Sequence, residues 1–169
     1  VYKLVGTEAE DTVRFFISFI DSVGIKGDTV RATTNNSRVI FDKTKPTLSS
    51  VAIISNNAAN TARAITGDSV TLSFTASELL SQKPSVSIAG QVIPASSVTN
   101  VSGNNWKGVY RFAGTEPEDT VRFYVSYIDS SGNRGDTVRT TNNSSIVIFD
   151  KTAPALTTVG ILSNNINSN

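Results

Sequence analysis

The residues of this chain that could do chemistry are mainly carboxylates placed in turn-rich loops. Asp129 and Asp136 bracket a short stretch of serine, glycine and asparagine, and Asp150 directly follows a hydrophobic run. Calcium takes several oxygen ligands from carboxylates, amides and backbone carbonyls. The sequence therefore makes Asp129, Asp136 and Asp150 candidate calcium ligands, although nothing in it requires a cofactor.

The loop between Asp129 and Asp136 also has a purely structural explanation. Asp and Asn side chains bond their own backbone in tight turns, and glycine adopts the conformations that such turns need. Arg134 places a positive charge in the middle of the loop, and the spacing of the acids differs from that of an EF-hand. A capped hairpin and a calcium site both remain open interpretations.

Catalysis finds little support among the remaining residue types. The chain has no cysteine and no histidine, so thiolate and imidazole chemistry are excluded. A hydroxyl nucleophile would need a lysine or a carboxylate as its base, and no motif supplies one. Glu116, Glu118 and Asp119 are close in sequence, but clustered loop carboxylates are usually solvated charges. We predict that the chain is not an enzyme.

Charge and hydropathy exclude further classes of function. With 15 basic and 14 acidic residues, the chain has no electrostatic reason to bind nucleic acid. No apolar run approaches the length that spans a bilayer, so direct membrane insertion is not expected. The apolar residues are largely Val, Ile and Phe in short runs separated by Thr, Ser and Asn, which is typical of β-structure.

A long internal repeat organises the whole chain. Residues 109–169 align with residues 1–61 at an offset of 108, and 37 of the 61 aligned positions are identical. A proline ends a shared junction sequence in each copy, Phe41 to Pro46 and Phe149 to Pro154. The sequence therefore predicts three parts: residues 1–43 as the C-terminal part of a preceding repeat, 44–152 as a complete repeat, and 153–169 as the first strand of a following repeat.

Alternation of apolar and polar residues predicts strands and no helix within the complete repeat. We expect strands over 48–55, 69–76, 84–89, 97–102, 106–113, 119–128 and 145–149. That many short strands in about 100 residues favours an all-β fold, a Greek-key β-sandwich of immunoglobulin-like type.

The same alternation predicts which side chains form the core. Trp106, Tyr110 and Phe112 share one parity and are expected to form a core wall. In the last strand, Ile146 corresponds to Arg38 of the first copy, and an arginine is seldom buried without a partner. Val147 and Phe149 should therefore point inward. The other inward sets are Val70, Leu72, Phe74 and Ala76, and Val121, Phe123, Val125 and Tyr127.

Residues 1–42 supply only part of such a sandwich. Their apolar face would be uncovered, and a small isolated sheet is marginally stable in water. Either strands upstream in the native protein or a neighbouring molecule should cover that face.

Several segments resemble bacterial immunoglobulin-like repeats. Such repeats occur in tandem in very long cell-surface proteins, including gliding-motility adhesins. The matching segments are Ser69 to Glu78, Val86 to Gly90, Val121 to Asp129 with Ser131 to Asn133, and Phe149 to Pro154.

The resemblance implies a structural stalk repeat at the bacterial cell surface, outside the cell, with adhesion residing elsewhere in the protein. Its partners would be the neighbouring repeats of the same chain. The alternative is a binding module for surface glycans or other surface proteins such as host receptors. That module would use its loops or an outward aromatic face at Tyr124, which is Phe16 in the first copy.

Overall fold

The computed structural model describes residues 1–164, which form short β-strands and no α-helix. A short 3-10 helix spans Ala95–Ser97. The strands are β1 (Asp11–Thr12), β2 (Ile40–Phe41), β3 (Leu48–Ser55), β4 (Arg63–Ala64), β5 (Ser69–Ala76), β6 (Ser85–Ile88), β7 (Gln91–Val92), β8 (Val98–Ser102), β9 (Asn105–Arg111), β10 (Asp119–Thr120), β11 (Phe123–Ser126) and β12 (Ile148–Phe149). The predicted all-β class is confirmed.

One face of the complete repeat is a four-stranded antiparallel sheet in the order β3-β5-β9-β8. Its two central strands pair without interruption from Ser69 opposite Arg111 to Thr75 opposite Asn105. The edge strand β3 contains a register shift between Ser49 and Ala52. This sheet carries the long strands that the alternation pattern predicts.

The opposite side is built from two three-stranded groups, β11-β6-β7 and β10-β12-β4. The predicted strand 119–128 is divided between them, because β10 pairs with β12 whereas β11 pairs with β6. A strand that changes sheets in this way makes a corner in the fold. The alternation of apolar and polar side chains continues through such a corner, so the sequence alone cannot show where the strand changes sheets. The parallel pair β12-β4 was also not predicted.

A single buried cluster fills the space between these sheets. The inward sets predicted in β5, around β11 and in the last strand are confirmed, since each of those side chains is at most 7% exposed. The aromatic wall is confirmed only at Phe112, which stacks on Phe149 with ring centroids 4.2 Å apart. Trp106 and Tyr110 are only partly buried. Between them, Gly108 leaves room for Val86 and Ile93, whose side chains approach within 3.2 Å and 3.0 Å of a Cβ placed there.

The first copy, residues 1–43, keeps the backbone pairing that the second copy, residues 109–151, makes within itself, whereas the pairs β11-β6 and β12-β4 have no counterpart among the described residues of the first copy. Asp11 pairs with Phe41 as Asp119 pairs with Phe149. The bridge between Ile17 and Val30 likewise matches the bridge between Val125 and Val138.

At the other end of the chain, none of residues 153–164 is assigned to a strand, and residues 165–169 of the predicted strand 153–169 lie outside the described residues. Within residues 1–164, no helix is long and apolar enough to cross a membrane.

Candidate functional site

Asp129 lies at the centre of the predicted acidic loop. Its side chain is fully buried, and Oδ1 accepts hydrogen bonds of 2.8 Å from the backbone N–H groups of Ser131 and Asn133. Burial disfavours the charged carboxylate, but these bonds and one from the Asn133 side chain outweigh it and lower the pKa of Asp129. The carboxylate therefore closes the hairpin turn.

Comparison with the first copy shows which bonds form the turn and which join the loop to other parts of the chain. There, Asp21 accepts bonds of 2.9 Å and 2.8 Å from the N–H groups of Val23 and Ile25, so the turn forms without Asn133. In the second copy, the Asn133 amide donates to Asp129 Oδ2 at 2.9 Å and to the carbonyl of Asp42 at 3.3 Å. The amide of Asn133 thus connects the loop to the end of the first copy.

Three carboxylates from different parts of the chain meet at this point. Single oxygens of Asp42, Glu78 and Asp129 lie within 4.8 Å of one another. Burial, followed by the negative charges of Asp129 and Asp42, raises the pKa of Glu78. Calcium is a cation that such oxygens suit. Glu78 was not among the predicted ligands, because no local pattern marks a residue that only the fold brings to the loop.

The other two predicted ligands lie elsewhere. Asp136 is exposed and its carboxylate is 3.3 Å from the Lys45 ammonium group. Asp150 is exposed at the second junction, where it accepts a bond of 3.0 Å from the Thr152 N–H. Among the described residues, neither belongs to the carboxylate group around Asp129. Asp150 is the repeat counterpart of Asp42, so it holds the matching position one repeat further along.

The junction segment 43–47, which we call the seam, enters the complete repeat and packs against its loops. Pro46 is buried, and Gly135 lies so close that an added Cβ would overlap the Tyr127 ring and stand 2.8 Å from the Pro46 carbonyl oxygen. Thr47 and Ser77 exchange bonds: the Thr47 N–H donates to Ser77 Oγ at 3.0 Å, and the Ser77 N–H donates to the Thr47 carbonyl at 2.9 Å.

The seam is also tied to the first copy. Glu10 accepts bonds from the Lys43 N–H at 2.6 Å and from Thr44 Oγ1 at 2.8 Å, and these lower its pKa. The Lys43 ammonium group donates to the carbonyls of Gly6 and Glu8 at 3.1 Å and 3.0 Å.

The second junction repeats these contacts with Glu118, Lys151 and Thr152. Lys151 N–H and Thr152 Oγ1 bond Glu118 at 2.6 Å and 2.8 Å. From the sequence, Glu118 was expected to be only a solvated loop charge. The signal that could have identified it is the identity of Glu, Lys and Thr at these positions in both copies.

Glu116 is the other loop carboxylate with a defined role. It is 4% exposed and accepts bonds from the Tyr110 hydroxyl and from the N–H groups of Ala113 and Gly114. Burial opposes its charge, but these bonds prevail and lower the pKa of Glu116 to about 2. Burial and the bonded carboxylate raise the pKa of Tyr110 to about 12. Neither group exchanges a proton near neutral pH.

The outward aromatic ring lies beside an arginine side chain in each copy. The guanidinium carbon of Arg139 lies 5.6 Å from the ring centroid of Tyr124, and that of Arg31 lies 6.0 Å from the ring centroid of Phe16. Both distances suit a cation–π contact. One face of this ring is therefore already in contact with arginine in both copies.

No family model, curated protein or solved structure shows a significant match to the chain.

Proposed function

We propose that this chain is a segment of the stalk of a large bacterial surface adhesin, outside the cell. Residues 44–152 would be one immunoglobulin-like Greek-key sandwich in a series repeating every 108 residues. Its role is mechanical rather than catalytic: it extends an adhesive region from the cell in cell adhesion or gliding motility. Its partners are the neighbouring repeats.

The observation that carries the proposal is the fixed seam. Lys43 and Thr44 bond the first copy through Glu10, and Thr47, only three residues further on, is already bonded to Ser77 inside the complete repeat. Pro46 is buried beside Gly135, and Asn133 reaches across to Asp42. Since no free linker separates the two units, the junction resists bending. Repeats joined in this way make an extended, stiff rod.

The contact of Arg139 with the Tyr124 ring favours the stalk over the alternative, a module that binds surface glycans or receptors. A sugar that stacked on that face of the ring would first have to displace the guanidinium group. The loop at Asp129 is likewise engaged in its own turn and in the contact with Asp42.

Distance measurement between spin labels tests the stiffness of the seam. The chain has no cysteine, so Arg38→Cys and Lys107→Cys place one label on the exposed surface of each unit. We expect a single narrow distance distribution in protein diluted with unlabelled chain. A Gly-Ser insertion between Thr44 and Lys45 is the control and should broaden it. An uninserted chain as broad as the control would refute the proposal.

A further inference from the structure

A shallow hollow on the outer surface of the complete repeat is lined by two arginines and several hydroxyl groups. Its volume is about 370 Å³. The buried side chains of Ile53 and Phe123 contribute to the lining, and so do the exposed residues Arg122 and Arg139. All of the lining residues lie between positions 53 and 146, so the hollow belongs entirely to the complete repeat.

The pairing of the strands places the two arginines on the same face of the sheet. Val125 pairs with Val138, so Arg139 stands opposite Tyr124 on the neighbouring segment. Arg122 precedes Tyr124 by two residues and therefore shares its face. Diagonal positions of this kind have Cβ atoms roughly 7 Å apart, a separation that long side chains reach across.

Both guanidinium groups keep their N–H donors free. Arg139 contacts the Tyr124 ring, and a contact with a ring face uses the charge of the group rather than its N–H donors. Arg122 lies 3.9 Å from a carboxylate oxygen of Asp119, which is beyond hydrogen-bonding distance, and both side chains are exposed. Within residues 1–164, neither guanidinium group donates a hydrogen bond to another residue.

Hydroxyl groups add neutral donors to the same hollow. Thr120, Thr140 and Ser144 line it and are exposed. Their hydroxyl groups are also unbonded within the described part of the chain. Of the described residues that line the hollow, none is acidic. Two cations and free hydroxyl groups without a carboxylate suit an anion that has several oxygens.

The first copy keeps the pair of cations. Arg14 and Arg31 correspond to Arg122 and Arg139 at the offset of 108. Arg31 also lies beside an aromatic ring, that of Phe16. A site built on this pair would therefore recur once in each repeat.

We propose that Arg122 and Arg139 bind a doubly charged phosphate group, as the free ion or as a monoester on a larger molecule. Two neighbouring guanidinium charges repel each other, and a dianion balances both whereas a carboxylate balances one. The fork of N–H groups on each arginine matches the spacing of phosphate oxygens. The hydroxyl groups of Thr140 and Ser144 would donate to the remaining oxygens. The inference holds whether or not the protein is a stalk, because it rests on the complete repeat alone.

Nuclear magnetic resonance of the arginine side chains tests the site in the full chain. Titration with glycerol 3-phosphate at constant ionic strength should shift the Nε–H signals of Arg122 and Arg139 to saturation. Dimethyl phosphate, which carries one charge, should bind more weakly. Inorganic phosphate that binds at least as tightly as glycerol 3-phosphate would identify the free ion as the ligand. Tighter binding of glycerol 3-phosphate would identify the monoester, and either result supports the site.

Arg122→Gln and Arg139→Gln should each weaken the binding of glycerol 3-phosphate about fivefold, the scale of one exposed charge pair, as read from the remaining arginine. Arg63→Gln is the matched control, because Arg63 is exposed in β4 and does not line the hollow. It should leave the affinity unchanged. Since all three arginines are exposed, the backbone amide spectra should match the wild type away from each substitution.

Three results would overturn the proposal. An equal loss of affinity with Arg63→Gln would show general attraction of anions to the charged surface. Equal affinity for dimethyl phosphate would show that the site does not select a double charge. Shifts that chloride reproduces at the same ionic strength, or that never saturate, would show that no site exists.

Discussion

At the scale of single residues, Glu116 shows how a loop carboxylate becomes part of the packed structure. It is buried, and its oxygens accept bonds from Tyr110, Ala113 and Gly114. These bonds stabilise the fold more than bonds between neutral groups would, because hydrogen bonds to a charged group are stronger.

The lowered pKa of Glu116 predicts a defined pH dependence. The pKa falls from its ordinary 4.5 to about 2 on folding, so the unfolded chain binds more protons between these values. The stabilisation is complete above pH 4.5 and is lost as the pH falls toward 2. Thermal unfolding of Glu116→Gln should show a weaker pH dependence in that window and a loss of about 2 kcal/mol at neutral pH.

Glu8→Gln is the control for this substitution. Glu8 accepts the equivalent bonds from Tyr2 and Gly6, but it lies in the open first copy. Its replacement should hardly change the unfolding of the complete repeat. A pH profile of Glu116→Gln identical to that of the wild type would contradict the assignment.

At the scale of elements, the group of Asp42, Glu78 and Asp129 depends on three segments meeting. Asp42 follows β2, Glu78 follows β5 and Asp129 lies in the loop after β11. Their like charges repel unless a proton or a cation intervenes.

Replacing Glu78 tests whether the three carboxylates repel one another. In chelator at neutral pH, Glu78→Gln should raise the free energy of unfolding by up to about 1 kcal/mol, the scale of a partly exposed charge pair. Asp136→Asn removes the same charge outside the group, where it pairs with Lys45, and should not stabilise the fold. No gain from Glu78→Gln would refute the repulsion.

Calcium added in the same thermal experiment distinguishes the two interpretations of the loop. A rise in Tm for the wild type that Glu78→Gln abolishes would place calcium among these oxygens. Equal Tm values in calcium and in chelator would leave Asp129 as the acceptor that closes the turn.

At the scale of the whole molecule, comparison of the two copies shows that the same local backbone bond forms in a buried strand and in an exposed one. The bond from the Ile17 N–H to the Val30 carbonyl is 2.9 Å, and its counterpart from Val125 to Val138 is 3.0 Å. The two bonds have nearly equal lengths. Yet Ile17 is 54% exposed and Val125 is fully buried.

Hydrogen exchange should therefore differ sharply between these amides. Val125 should exchange only by openings that cost about 5 kcal/mol or more, whereas Ile17 should open at far lower cost. Equal protection of Ile17 and Val125 would show that the first copy is stable without a cover.

The sequence by itself determined the all-β class, the strands of the large sheet and the inward residues of β5. These follow from alternation, which is a local property of the chain. The internal repeat further indicated that Val147 rather than Ile146 faces the core, because Arg38 replaces Ile146 in the first copy.

Only the tertiary structure decided how distant segments meet. The pattern from Asp119 to Ser126 is one alternating run, yet it divides between two sheets because its halves find different partners. Glu78 comes to Asp129 because Leu80 forms a bridge with that residue. Such approaches depend on how sheets pack rather than on neighbours in sequence.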